Sequence, residues 1–218
     1  MDYAYARLNM VESQLRTNRV FGERLLDAFE TLPRELFVPQ NIRSISYVDE
    51  DLHIGNGRYL MEPMVLGRLL QAADIQESDV ALDIGSGTGY ATAILARLCS
   101  TAVGLESDPG LVETANNLLS RMEISNAVVV QGDLAAGYPK QAPYNVILIN
   151  GGIEELPDGL TDQLAEGGRL MCVTRPSPGG IGRARLYRKD DGVVSNRILF
   201  DASTPILEEF RAPERFVF

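Results

Sequence analysis

Imidazole is almost missing from this 218-residue chain, and so are thiols and long basic runs. His53 is the only histidine, which excludes mechanisms built on two imidazoles and most zinc sites. Cys99 and Cys172, the only cysteines, lack the spacing of a metal or redox motif; they read as small buried hydrophobes, Cys99 ending a helix and Cys172 inside a strand. No metal is expected. A formal net charge of -10, without any stripe of Lys and Arg, opposes attraction to a polyanion, so a nucleic-acid partner is not expected. The first residues have no basic region followed by an apolar stretch, and no apolar segment is long enough to span a bilayer. The expectation is a cytoplasmic protein without a membrane partner.

What is present describes an ordinary globular domain: 45% hydrophobic and 23% charged residues. The length suits one domain, divided into an N-terminal helical cover and substrate loop (1–62), a core (63–200) and a tail (201–218). Residues 8–32 read as helical, with Leu25, Phe29 and Leu32 on one face, until Pro33 breaks the pattern; residues 36–52 read as an irregular cover. Glu62-Pro63 reads as the start of a helix running to about Ala73.

From there, short apolar runs over 80–84, 101–105, 127–131, 144–149 and 169–174 alternate with helical patterns over 90–98, 109–122 and near 160–164. Continuous apolar strands separated by helices indicate a doubly wound, mostly parallel α/β sheet of Rossmann-like form, covered on both faces. The turn Glu166-Gly167-Gly168 precedes the last of these strands, and residues 176–182 read as a flexible loop. Residues 183–188 and 193–200, joined through Asp190-Asp191-Gly192, read as an antiparallel hairpin at a sheet edge.

The chemistry concentrates after the first core strand, in Asp83-Ile84-Gly85-Ser86-Gly87-Thr88-Gly89. Gly85 and Gly87 let the backbone approach a ligand, Gly89 lets the following helix pack closely, and the helix start presents free N–H groups. The spacing is Gly-x-Gly-x-Gly rather than the dinucleotide form, and Asp83 stands two residues before the first glycine. A carboxylate there repels a pyrophosphate and attracts the ammonium and sulfonium of S-adenosylmethionine (SAM), so SAM is the expected cofactor. Glu106, with Ser107 beside it, ends the second strand where an acid meets a ribose diol, and Gly132-Asp133 ends the third, where Asp133 accepts from the adenine amino group. Asn150, ending the fourth strand, completes the expected cofactor set; its context, Asn150-Gly151-Gly152-Ile153, is unlike the Asn/Asp-Pro-Pro-Tyr of nucleic-acid amino-methylating enzymes.

With these residues in place, the chain resembles the protein-L-isoaspartate O-methyltransferases over about 25–199. The match includes Leu32-Pro33-Arg34-Glu35-Leu36-Phe37-Val38-Pro39, the glycine motif, and Leu164-Ala165-Glu166-Gly167-Gly168. The resemblance implies methylation of the α-carboxylate of isoaspartyl residues in damaged proteins or peptides. It also brings a departure. Where the family has Gly-x-Thr-Ile-Ser-x-Pro with an active-site serine, this chain has Gly57-Arg58-Tyr59-Leu60-Met61-Glu62-Pro63. Met61, at the serine position, donates no hydrogen bond. Either Arg58 or Tyr59 supplies the donor, or the chain methylates a different small-molecule or protein acceptor, or it binds SAM without catalysis.

Overall fold

The protein is described by a computed structural model covering residues 2–175 and 180–212. Helix α1 (Tyr3–Met10) continues through a π-helical turn (Val11–Leu15) and a 3-10 turn (Arg16–Asn18). The chain breaks at Arg19, whose φ of 66° ends the helix, and restarts as α2 (Glu23–Thr31). The single helical stretch expected over 8–32 is therefore two helices that begin earlier and are split. The split lets Leu15, Val20 and Phe29 gather around Gly67, where an added Cβ would lie 2.9 Å from Leu15 Cδ2.

The irregular cover contains short 3-10 turns and then a hairpin, β1 (Leu52–Gly55) and β2 (Arg58–Leu60). Its turn, Asn56-Gly57, has both residues at positive φ, the geometry a tight hairpin demands. Helix α3 (Pro63–Ala73) starts at proline as expected. Its N-terminus is capped from outside: Asp51 Oδ1 accepts the Glu62 N–H at 2.9 Å and Asp49 Oδ1 that of Met64 at 3.1 Å.

The core begins with β3 (Val80–Ile84), α4 (Tyr90–Leu98), β4 (Thr101–Glu106), α5 (Pro109–Arg121) and β5 (Ala127–Gln131). It continues with β6 (Tyr144–Ile153), α6 (Asp158–Asp162), β7 (Leu164–Thr174), β8 (Arg183–Asp190) and β9 (Val193–Asp201). The sheet order is β5-β4-β3-β6-β7-β8-β9; neighbours are parallel up to β7 and antiparallel beyond it. This is the doubly wound sheet with an antiparallel edge hairpin. The Glu166-Gly167-Gly168 turn is a bulge inside β7, where the register against β6 slips.

Alternate residues face opposite sides of a strand, and here both sides are buried, which is why the strands read as unbroken apolar runs. Ala81 of β3 joins a cluster with α2, α3, α4 and α5, whereas Leu82 and Ile84 join another. That second face is covered less by helix than expected. The β5–β6 connection holds only a 3-10 turn (Pro139–Gln141), and the cover comes from Leu160 of α6 together with Leu207 and Phe210.

Leu207 and Phe210 belong to residues 202–212, a strap that runs back over the carboxyl end of β6. Gly152 N–H donates to Pro205 O at 2.8 Å, Leu207 N–H to Gly152 O at 2.9 Å, and Glu154 N–H to Phe210 O at 3.2 Å. The rest of the tail, and residues 176–179 of the expected flexible loop, lie outside the described residues. Among the described residues no helix is long and apolar enough to cross a membrane.

Candidate active site

The glycine turn joins β3 to α4 at the carboxyl edge of the sheet, beside the point where strand order reverses between β3 and β6. Gly85, Gly87 and Gly89 have φ of 78°, 54° and 90°, a region other residues enter only with strain. Space is short as well. A Cβ on Gly87 would lie 2.7 Å from Ile54 Cδ1, and one on Gly85 3.0 Å from Leu207 Cδ1, so hairpin and strap roof the turn from two sides. The Leu32-to-Pro39 segment is fastened to it by Thr88 Oγ1, which donates to Phe37 O at 2.6 Å, and by Phe37 packing edge-on against Tyr90.

Asp83 lies wholly inside the protein, 0% exposed. Its Oδ2 accepts from Thr92 Oγ1 at 2.6 Å, while Oδ1 has no partner. Burial pushes its pKa up to about 7, with the Thr92 bond offsetting part of the rise. Ser86 Oγ and Asn150 Oδ1 are also buried without partners. Leaving a buried polar atom unsatisfied costs about 1–3 kcal/mol, so three such oxygens around one turn mark a place built for a donor group. An ammonium suits them.

Glu106, fully buried at the end of β4, is surrounded by donors. Its carboxylate accepts from the backbone N–H groups of Gly87 (2.9 Å), Ser107 (2.7 Å) and Asp108 (3.1 Å), and from Arg58 Nε at 3.1 Å to each oxygen. Arg58 Nη2 also reaches Glu209 of the strap at 2.5 Å and Ser107 Oγ at 2.8 Å. Burial opposes the Arg58 charge, yet Glu209 and Glu106 outweigh it and hold its pKa above the ordinary arginine value. Arg58 thus faces inward onto Glu106 and Glu209.

The other expected residues are placed as follows. Gly132 N–H donates to Glu106 O at 3.0 Å, closing the edge between β4 and β5. Asp133 is exposed, with one oxygen capping the Ala135 N–H at 2.9 Å. Met61 is 1% exposed and part of the core: it lies one residue beyond β2, where the alternation that turns Arg58 and Leu60 inward and Tyr59 outward has ended. Tyr59, 36% exposed, points out of β2 with exposed His53 edge-on against it at 5.1 Å. It lines a cavity of about 600 Å³ with Asp51, Glu154, Arg175, Glu208 and Arg211. Burial first, then repulsion from neighbouring acids, raises Asp51 of this cavity to about 6 and Glu62, whose N–H Asp51 accepts, to about 7.

Sequence reasoning missed Thr92, Ile54, Leu207 and Glu209, and saw Arg34 only as part of a motif. Arg34 is fully buried, donates to Ser46 O at 2.7 Å and to Met61 O at 2.8 Å, and stacks over Tyr90 with its guanidinium carbon 5.0 Å from the ring centre. It ties the segment from Ser46 to Met61 to the core. The Asn-Gly pair was a legible signal for the hairpin; nothing local announces the strap.

A family model for protein-L-isoaspartate(D-aspartate) O-methyltransferase matches residues 6–201. A protein-L-isoaspartate O-methyltransferase of Methanoculleus marisnigri is 38% identical over 78% of this chain and 77% of its own. One of Ignicoccus hospitalis is 31% identical over 92% and 96% respectively. Among solved structures, a protein-L-isoaspartate O-methyltransferase superposes with a TM-score of 0.80 at 25% identity, covering 92% of this chain, which spans 65% of that longer one. A Plasmodium falciparum structure solved with S-adenosyl-L-homocysteine (TM-score 0.79, 20% identity) shares the fold over 93% of this chain. The glycine turn, the acid ending β4 and these matches lead to one statement: the chain belongs to the protein-L-isoaspartate(D-aspartate) O-methyltransferase family of SAM-dependent methyltransferases.

Proposed function

We propose that this protein methylates the free α-carboxylate of isoaspartyl residues in peptides and damaged proteins, as a step of their repair. The observation that carries the reading is the pairing of two sites at one sheet edge. The glycine turn with Asp83, Ser86, Asn150 and Glu106 suits the amino-acid and ribose parts of SAM. The adjoining cavity offers Tyr59 and Arg175 to an anionic acceptor, with Arg211 beside them paired to Glu208. Bound SAM supplies a methyl group made electrophilic by its sulfonium. The acceptor carboxylate, with an ordinary pKa near 4, is ionised at neutral pH and needs no general base. The chain's own residues therefore orient and desolvate: Asp83 and Asn150 hold the ammonium, Glu106 holds the diol, Ile54 and Leu207 exclude water, and the Tyr59 hydroxyl aligns the acceptor.

The test is a paired assay with labelled SAM on an isoaspartyl peptide and its aspartyl twin. Label should enter the first as a base-labile ester and not the second. Enzyme that binds SAM yet leaves both peptides unlabelled would end the isoaspartyl reading. That result would favour a second one, a different methyl acceptor, which rests on the neighbouring acids Asp51 and Glu62 and on a buried methionine in place of the family serine.

A further inference from the structure

Glu106 has more donors than sites. A carboxylate offers about four lone-pair positions. Those of Glu106 already face three backbone N–H groups and the Arg58 guanidinium, whose Nη2 lies 3.0 Å from Oε1. A ribose diol needs two of the same positions. The backbone donors are held by the glycine turn and by the start of α5, so only Arg58 can yield, and it stands on the small β1–β2 hairpin rather than in the sheet.

A second acceptor waits beside it. Glu209, on the strap, takes one Arg58 N–H at 2.5 Å and the Ser107 hydroxyl at 2.7 Å, and both contacts pass through its Oε1. Its Oε2 is buried and has no partner. Burial works against ionisation of Glu209, but the bonds from Arg58 and Ser107 prevail and hold its carboxyl below the usual range. Half of a bidentate arginine site is in use and half is vacant.

We infer that Glu209 is a positioning residue for cofactor loading: when the ribose engages Glu106, Arg58 pivots from Glu106 onto both oxygens of Glu209. The pivot keeps the hairpin joined to the strap over the nucleoside while freeing the ribose acceptor. Arg58 is then a competitor of the cofactor, and Glu209 is what makes its displacement easy. The inference rests on the assignment of Glu106 to the ribose.

Calorimetric titration with S-adenosyl-L-homocysteine tests it without any acceptor. Removing a competitor raises the competent fraction, so R58A should bind about five- to tenfold more tightly. E209Q, which strands the displaced guanidinium, should bind about tenfold more weakly. The double variant should return to the tight affinity of R58A. A purely structural role predicts weakening in every variant; R58A that binds no better than wild type, or E209Q that binds no worse, overturns the inference, as does a double variant as weak as E209Q. If R58A does not fold, R58K, which keeps the charge without the fork, should still bind more tightly than wild type, and failure to do so also overturns it. E106Q reads the underlying assignment separately. Undiminished binding there removes both the ribose assignment and the pivot, whereas a loss in E106Q with no tightening in R58A removes the pivot alone.

Discussion

The carboxyl group of Asp83, sealed behind the glycine turn, should make cofactor affinity depend on pH. Burial holds Asp83 protonated up to about pH 7 in the folded chain, against an ordinary value near 4 when unfolded. The unfolded chain loses this proton first, so Asp83 makes stability fall as pH rises from about 4 to about 7, after which its effect levels off. A cationic ligand prefers the ionised form. SAM affinity should therefore rise as pH passes through 7 and flatten above it. D83N should bind SAM more weakly and lose this rise, while its stability, followed by urea unfolding, should fall less steeply between pH 4 and 7. Titration calorimetry across pH 6–8 checks the first point; an unchanged slope in D83N would assign the proton to another group. This residue, the three glycines and Glu106 were readable because their spacing is local. Met61 and Glu209 were not, because whether a side chain points inward is decided by what packs against it.

Among the elements, the core strands were legible for a physical reason: burial on both faces leaves runs such as Val80 to Ile84 with no polar interruption except Asp83. Pro63 and Pro109 marked helix starts for an equally local reason. The break at Arg19 and the capping of α3 depend on bonds from Gln71, Asp49 and Asp51, which no periodicity encodes, whereas the β1–β2 hairpin is local and Asn56-Gly57 marks it. Arg34 shows the cost of such dependence. It joins two loop carbonyls to the core without an acidic partner in hydrogen-bonding contact, and its pKa is lowered by burial. R34A should lose about 3 kcal/mol of stability, from the broken bonds and the emptied space together, by urea unfolding. Because the hairpin carries Ile54, which roofs Gly87, homocysteine-nucleoside binding should weaken in the same variant; a loss below about 0.5 kcal/mol would show that the loop holds without Arg34.

For the molecule as a whole, the two sheet faces are unequally protected. One carries α3, α4 and α5, with α2 packed on α4; the other depends on α6 and on a strap whose regular structure is one 3-10 turn (Glu208–Phe210) and whose Leu207 sits over Gly85 and Gly151 at once. L207A should cost about 3 kcal/mol in unfolding experiments and should also weaken cofactor binding, since the same side chain packs the core and roofs the turn. Stability lost with affinity unchanged would restrict Leu207 to packing. The sequence revealed the sheet but not this arrangement, because the strap has neither helical nor strand periodicity and is held by backbone pairing to Gly152.

Arg58 and Glu209 meet although 151 positions separate them along the chain. Translation delivers the hairpin early and the strap late, so a ribosome that has completed the sheet has not yet completed the cover over its glycine turn. A nascent polypeptide arrested before the strap emerges holds every glycine of that turn, yet leaves Gly85 without Leu207 above it and Arg58 without Glu209.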